Sequence, residues 1–324
     1  MKKAIALLIS ALLILSCFAA CGKQPAQQPD TTEPANDTAK LNVVCSIFPP
    51  YDFVRTIAGD KVDLTLLLDS KTDLHSYSPT ADDIMTISQA DLFVNIGGES
   101  DDWAEDVIAS AENKDLKVVS LIDLVNAVEE EALPGMQEEE EEHEEEEGPE
   151  YDEHVWTSLK NVMMIVPALT DTLCELDAAN ADFYRANSEK YVKALQALDE
   201  EYTETIGGAA RRTLLFADRF PFRYLADDYD LTCYAAFSGC SAETEASFET
   251  MTMLVDTVKE QNLPYILMID GSDGSVAESV SDRSGAEIRV LNSCQSISLD
   301  DIAAGVTYLS IMNDNLDVLS EVLN

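Results

Sequence analysis

The sequence predicts an α/β protein of two parallel-sheet α/β lobes joined by one long rigid helix. Three observations carry this expectation. Short β-prone runs alternate with helical patterns from residue 41 to about 120, and the alternation resumes from about 213 to the C-terminus. Between them, Phe183, Tyr184, Tyr191, Leu195, Leu198 and Tyr202 recur at helical spacing with no break before Gly207-Gly208. The chain has 324 residues, 46% hydrophobic and 7% aromatic, enough for two cores of ordinary size.

The elements follow in chain order. Lys2 and Lys3 precede an uncharged apolar run of 12 residues, Ala4 to Leu15, which suits a secretory signal and is short for a bilayer span. Phe18-Ala19-Ala20-Cys21 places small residues before a cysteine and resembles the bacterial lipobox. Residues 1–20 are therefore read as a lipoprotein signal peptide and Cys21 as the lipidation site. Residues 21–40, rich in Gln, Pro and Thr and without apolar periodicity, read as a flexible tether. The expected location is extracytoplasmic, lipid-anchored to the bacterial cell membrane.

The N-terminal lobe is expected over 41–179. Leu41–Phe48 reads as a strand ended by Pro49-Pro50, 51–58 as a helix, and Val62–Leu68 as a second strand. Thr80–Ala90 reads as a helix, Leu92–Ile96 as a strand stopped by Gly97-Gly98, Asp101–Glu112 as a helix, and Val118-Val119 as the opening of a fourth strand. Asn161–Leu176 is helical. The linking helix runs over 180–206 with Asn180 as its cap, roughly 38 Å at 1.5 Å per residue. In the second lobe, 207–324, strands are expected at Thr213–Ala217, Leu231–Ala236, Tyr265–Ile269 and Glu287–Leu291. Helices are expected at Phe222–Asp227, Phe248–Glu260, Val276–Ser284 and Ile302–Val322.

The charge is uneven. Sixty-two acidic residues against 20 Lys and Arg give a net charge of −42. That balance excludes a nucleic-acid binder, which needs basic surface, and electrostatic docking on anionic lipid. Fifteen of the acidic residues lie within the loop 129–153 (Glu129–Glu131, Glu138–Glu142, Glu144–Glu147, Glu150, Asp152 and Glu153), with no Lys or Arg among them. Without them the net charge is −27.

Only three histidines occur: His75, His143 and His154. His75 follows the second strand, and His154 follows the acidic loop just before a helix. In parallel α/β sheets ligands bind beyond the carboxyl ends of strands, and neutral imidazole is a good donor to zinc and similar divalent metals. Seven cysteines leave five after the signal and the lipidated residue: Cys45, Cys174, Cys233, Cys240 and Cys294. An odd number leaves at least one thiol unpaired within the chain, and one disulfide drawn from Cys233, Cys240 and Cys294 is compatible with export.

These residues reach a family. Ile47-Phe48-Pro49-Pro50-Tyr51-Asp52-Phe53, Leu74-His75-Ser76-Tyr77-Ser78-Pro79, Ala90-Asp91-Leu92-Phe93-Val94 and Gly97-Gly98-Glu99 resemble the N-terminal lobe of the zinc/manganese-binding lipoproteins of bacterial metal ABC importers. Asp152-Glu153-His154-Val155-Trp156 is similar to that family's second histidine motif, and Phe222-Arg223-Tyr224-Leu225 with Ala303, Gly305 and Tyr308 continues the likeness through nearly all of 41–324. The resemblance implies a metal site in the interlobe cleft with His75, His154 and Asp270 as ligands. The family's remaining histidine is missing. Arg219 stands nearest its expected place, and a guanidinium cannot ligate. Asp218 beside it is the candidate fourth ligand, with a helix-capping or Arg-pairing role as its alternative. Glu243, Glu245 or a water are further candidates for an open position.

The implied cargo is Zn²⁺ first and Mn²⁺ second, delivered to an ABC permease and its ATPase by a monomer that touches the membrane only through its lipid and binds no nucleic acid. Where zinc-binding members carry a histidine-rich loop, this chain carries glutamates around His143. Glu142, His143 and Glu144 are expected to serve as accessory, low-affinity cation collectors, against the alternative of a solvated like-charge loop. No hydrolase elbow, phosphate-binding loop or zinc-protease motif occurs, which points away from an enzyme. The competing readings are a surface adhesion or scaffold lipoprotein and, behind it, a metallohydrolase built on His75 and His154.

Overall fold

The computed structural model describes residues 40–68, 74–137, 151–241 and 245–324. Cys21, Glu142, His143, Glu144 and Glu243 lie outside the described residues. The observed order is β1 (Leu41–Cys45), α1 (Phe48–Ala58), β2 (Val62–Leu66), α2 (Ala81–Ser88), β3 (Leu92–Asn95), α3 (Trp103–Ser110) and β4 (Lys117–Ser120). Then come α4 (Leu159–Leu176), α5 (Ala181–Gly208), β5 (Thr213–Phe220), α6 (Arg223–Asp228), β6 (Thr232–Ser238), α7 (Phe248–Gln261), β7 (Tyr265–Ile269), α8 (Ser275–Ser284), β8 (Glu287–Leu291), α9 (Leu299–Ala304) and α10 (Tyr308–Val322).

The strands form two all-parallel four-stranded sheets with the same topology, β2-β1-β3-β4 and β6-β5-β7-β8. Alternation along the central strands sends side chains to two different layers. Val43 and Cys45 of β1 join the largest core cluster, whereas Val44 between them packs with Ile87 of α2 and Val107 of α3. Leu214 and Phe216 of β5 join the same large cluster, whereas Leu215 and Ala217 pack with Leu254 of α7 and Val280 of α8. The large cluster therefore runs between the two sheets through α1, α4, α5 and α10. Among the described residues no helix is long and apolar enough to cross a membrane.

The linking helix α5 has 28 residues, about 42 Å at 1.5 Å per residue. It buries Tyr184, Tyr191, Leu195, Leu198 and Tyr202, all on the stripe seen in the sequence. Three expectations are corrected. Pro49 and Pro50 do not end a strand. They open α1, in the first turn, where a missing N–H leaves no intrahelical bond unmade. Asn180 does not cap α5 with its side chain, which instead donates to Asp177 Oδ2 at 2.6 Å. The C-terminal helix is two helices, because Gly305 ends α9 in the left-handed region at φ 99° and Thr307 begins α10 with a capping box.

Buried polar residues fasten the lobes. Asp52 of α1 pairs with Arg55, and its Oδ2 accepts from the Tyr308 backbone N–H at 2.7 Å. Arg55 also donates to the Val306 carbonyl at 2.8 Å. The Tyr308 hydroxyl donates to the Trp156 carbonyl at 2.6 Å, and Trp156 Nε1 donates to the Ser293 carbonyl at 2.7 Å. Tyr308→Phe, which deletes one of these bonds in a fully buried setting, is expected to cost about 1–3 kcal/mol in urea unfolding. An unchanged midpoint would show that the hydroxyl bond is energetically silent.

Candidate metal centre

The site forms where segments following β2, β4 and β6 converge. His75 lies in a single 3₁₀ turn, Leu74–Ser76, beyond β2. Its Nδ1 meets Ser100 Oγ at 2.7 Å. Ser100 is itself held, because its backbone N–H donates to Glu153 Oε1 at 2.8 Å. Glu153 fits only because residue 98 is glycine. Gly98 sits at φ +89°, and a Cβ there would lie 2.6 Å from Glu153 Oε1.

His154 lies between the acidic loop and α4 and is fully buried. Asp152 Oδ1 accepts from the His154 backbone N–H at 2.8 Å and contacts the ring Nδ1 at 3.0 Å. That contact fixes the ring and, with Nδ1 carrying the proton, turns a lone pair on Nε2 toward any ligand. Nε2 is buried and has no hydrogen-bond partner among the described residues. The Asp152 carbonyl in turn accepts from the Tyr224 hydroxyl at 2.7 Å, so the Phe222-Arg223-Tyr224-Leu225 motif supports the second histidine.

The His75 and His154 rings lie 5.3 Å apart between centroids. Cys240, which from sequence is a candidate only for a disulfide, lies with these histidines. Ligand atoms of His75, His154 and Cys240 all lie within 4.8 Å of one another. Cys240 follows β6, and the residue before it is a glycine in close approach. A Cβ on Gly239 would stand 2.8 Å from His154 Cε1 and 3.1 Å from the Phe220 carbonyl. The signal available in the sequence was that Gly-Cys pair at the carboxyl end of a strand. All five described cysteines are free thiols, so no disulfide is drawn from Cys233, Cys240 and Cys294.

The two carboxylate candidates stand outside this cluster. Asp218 is buried on β5, where the β5–β6 register shifts between Phe216 and Arg219. Its Oδ1 accepts from the Arg219 N–H at 2.8 Å and its Oδ2 from the Ile269 N–H at 3.2 Å. The side chain thus acts as a substitute main-chain acceptor where β5 and β7, which pair directly only at Phe216 and Leu267, separate. Asp270, at the end of β7, accepts from the Ser293 N–H at 2.5 Å. Burial pushes its carboxyl above the usual range, with the Ser293 bonds and the Arg219 guanidinium opposing. Arg219 Nη1 also reaches the Ser241 carbonyl at 3.4 Å. Glu245 is exposed.

The electrostatics favour a cation. Burial lowers the His154 pKa, but Asp152, Glu153 and Glu130 outweigh it and hold the imidazole above its ordinary value. Burial raises Glu153 to about 6, against the Ser100 bonds and His154. Burial also lifts the Cys240 thiol well above its usual range, and Glu130, Glu153, Asp152 and Glu99 push the same way. Each effect is reversed by a dication, which adds the missing positive charge.

Residues 43–322 match the family described as zinc-uptake complex component A, periplasmic (ZnuA). The chain is 33% identical over 319 residues to the high-affinity zinc uptake system protein ZnuA of Bacillus subtilis, covering 96% of each chain. It is 31% identical over 325 residues to the zinc-binding lipoprotein AdcA of Streptococcus pneumoniae, covering 99% of this chain but 61% of AdcA, so it spans under two thirds of that relative. The crystal structure of the Zn(II)-bound ZnuA-like domain of the same AdcA superposes with a TM-score of 0.72 at 28% identity, covering 88% of this chain and 99% of that one. The matched family and the two-lobe fold agree, and the chain belongs to the ZnuA family.

Proposed function

We propose that this chain captures Zn²⁺ outside the cytoplasm and delivers it to a membrane ABC permease and its ATPase, without catalysis of its own. The observation that carries the reading is the convergence of His75 and His154 on one buried point, with His154 Nε2 lacking a partner among the described residues. Carboxylates around that point favour a dication, and the names of the relatives agree on zinc. Mn²⁺ is the lesser cargo, since nitrogen donors suit zinc better. Residues 1–20 serve as signal, Cys21 as anchor, and 21–40 as tether. Glu142, His143 and Glu144 gather cations near the cleft by steering.

Zinc titration of the purified protein tests this reading. One tight equivalent is expected. A protein without a stoichiometric divalent site would end the transport reading and favour an adhesion or scaffold role.

The pH dependence has a defined sign. Zinc binds neutral imidazole, so protons compete below the raised His154 pKa. Affinity should fall as pH drops from 8 to 5, beginning above the ordinary histidine range and steepening near 6 as Glu153 protonates. In the metal-free chain the raised His154 pKa acts oppositely. Its stabilisation is full below the unfolded value and is lost as pH rises through the folded one. The thermal shift produced by zinc should therefore grow with pH, and a constant shift between pH 5 and 8 would contradict histidine ligation.

A further inference from the structure

We propose that Cys240 is the third protein ligand, so that the captured ion is held by two imidazoles and one thiolate. This rests on the zinc-capture reading above. The geometric basis is the cluster itself, in which one ligand atom from each of His75, His154 and Cys240 lies within 4.8 Å of the others. The second basis is the buried, unpartnered Nε2 of His154. The third is Gly239, whose missing side chain lets the backbone entering Cys240 rest against the His154 ring.

Topology adds a fourth. β2 and β6 occupy equivalent edge positions in the two sheets. His75 and Cys240 follow these equivalent strands, so each lobe supplies a ligand from the same place in its fold.

The alternatives are engaged elsewhere. Asp218 accepts from backbone N–H groups at both oxygens, and Asp270 is bonded to Ser293 with its carboxylate stabilised by the charge of Arg219. Arg219 stands where the resemblance places a histidine, and it cannot ligate. The chain therefore has a thiol near a site whose expected third imidazole is absent.

Binding breaks the Cys240 S–H bond, forms an S–metal bond, and passes the proton to bulk water. In a tetrahedral zinc site, Zn–N of about 2.0 Å and Zn–S of about 2.3 Å separate neighbouring donors by roughly 3.5 Å. The three atoms thus need only a small inward shift, and one position remains for water. A thiolate softens the donor set and favours zinc over manganese, which prefers oxygen.

The test uses the full chain loaded with Co²⁺ and, separately, titrated with Zn²⁺ and Mn²⁺ against a chelator. The native protein should show a thiolate-to-cobalt charge-transfer band that Cys240→Ser removes. Cys240→Ser should weaken zinc by at least about 100-fold, more than loss of a supporting residue typically costs. Cys240→Asp should lower the zinc-over-manganese ratio, whereas Asp270→Asn should leave zinc affinity within about tenfold of native. One bound Co²⁺ without a thiolate band, or native zinc affinity in Cys240→Ser, would overturn the proposal and leave zinc capture standing. A native chain with no stoichiometric zinc would overturn the capture reading itself. If Cys240→Ser fails to fold by circular dichroism, the native cobalt spectrum and Cys240→Asp decide the matter.

Discussion

His154→Ala is expected to abolish tight zinc binding while the chain remains folded. The side chain is fully buried, and Asp152 fixes both its backbone and its ring. Ring orientation is thus set before the ion arrives, and Nε2 is buried with no hydrogen-bond partner among the described residues. Loss of a residue that merely orients a ligand costs about 10–100-fold in affinity, so loss of the ligand should exceed that range. Asp152→Asn should fall within it, since the amide keeps the shape but weakens the hold on Nδ1. Chelator competition measures both. Native affinity in His154→Ala would remove this residue from the site.

Trp156→Ala is expected to have the largest effect on stability. Trp156 is fully buried, and truncating such an aromatic costs about 3–5 kcal/mol through lost burial and the cavity left behind. It also leaves the Ser293 carbonyl without its donor, a further cost of about 1–3 kcal/mol if no water replaces it. The ring lies 5.3 Å from that of His154, so zinc affinity should fall as well. Trp156→Phe should lose the hydrogen bond but keep most of the packing, separating the two contributions. A destabilisation below about 1 kcal/mol in Trp156→Ala would show that the cavity closes by relaxation.

Much of the fold was legible because parallel strands buried on both faces read as short continuous apolar runs. Tyr265–Ile269 is such a run and appears with the bounds read from sequence, entered after Pro264. The edge strand Glu287–Leu291 also keeps its bounds, but only Leu291 is buried, and the Gly-Ala break before it is what marks it. Pro49-Pro50 misled because proline both stops strands and opens helices, and local sequence does not separate the two roles. The likeness was carried largely by residues that join lobes. Asp52, Trp156 and Tyr308 hold buried hydrogen bonds between elements, and Tyr224 supports the site through the Asp152 carbonyl. The nearness of Cys240 to His75 and His154 was not legible, because it arises from three separate segments, and composition suggested pairing between thiols instead. The backbone partners of Asp218 were not legible either, because they arise from the β5 register shift.

The core shared between the sheets bears on how fast a captured ion can leave. Swinging the lobes apart would pull α1, α4, α5 and α10 away from a common apolar interior, and each buried Leu or Phe so exposed costs about 1.5–3 kcal/mol. On the capture reading, release is then expected to run through a short segment such as the Leu74–Ser76 turn rather than through a hinge between halves. A partner that hastens release would then act on that turn, and its effect should appear in the dissociation rate with little change in overall dimensions.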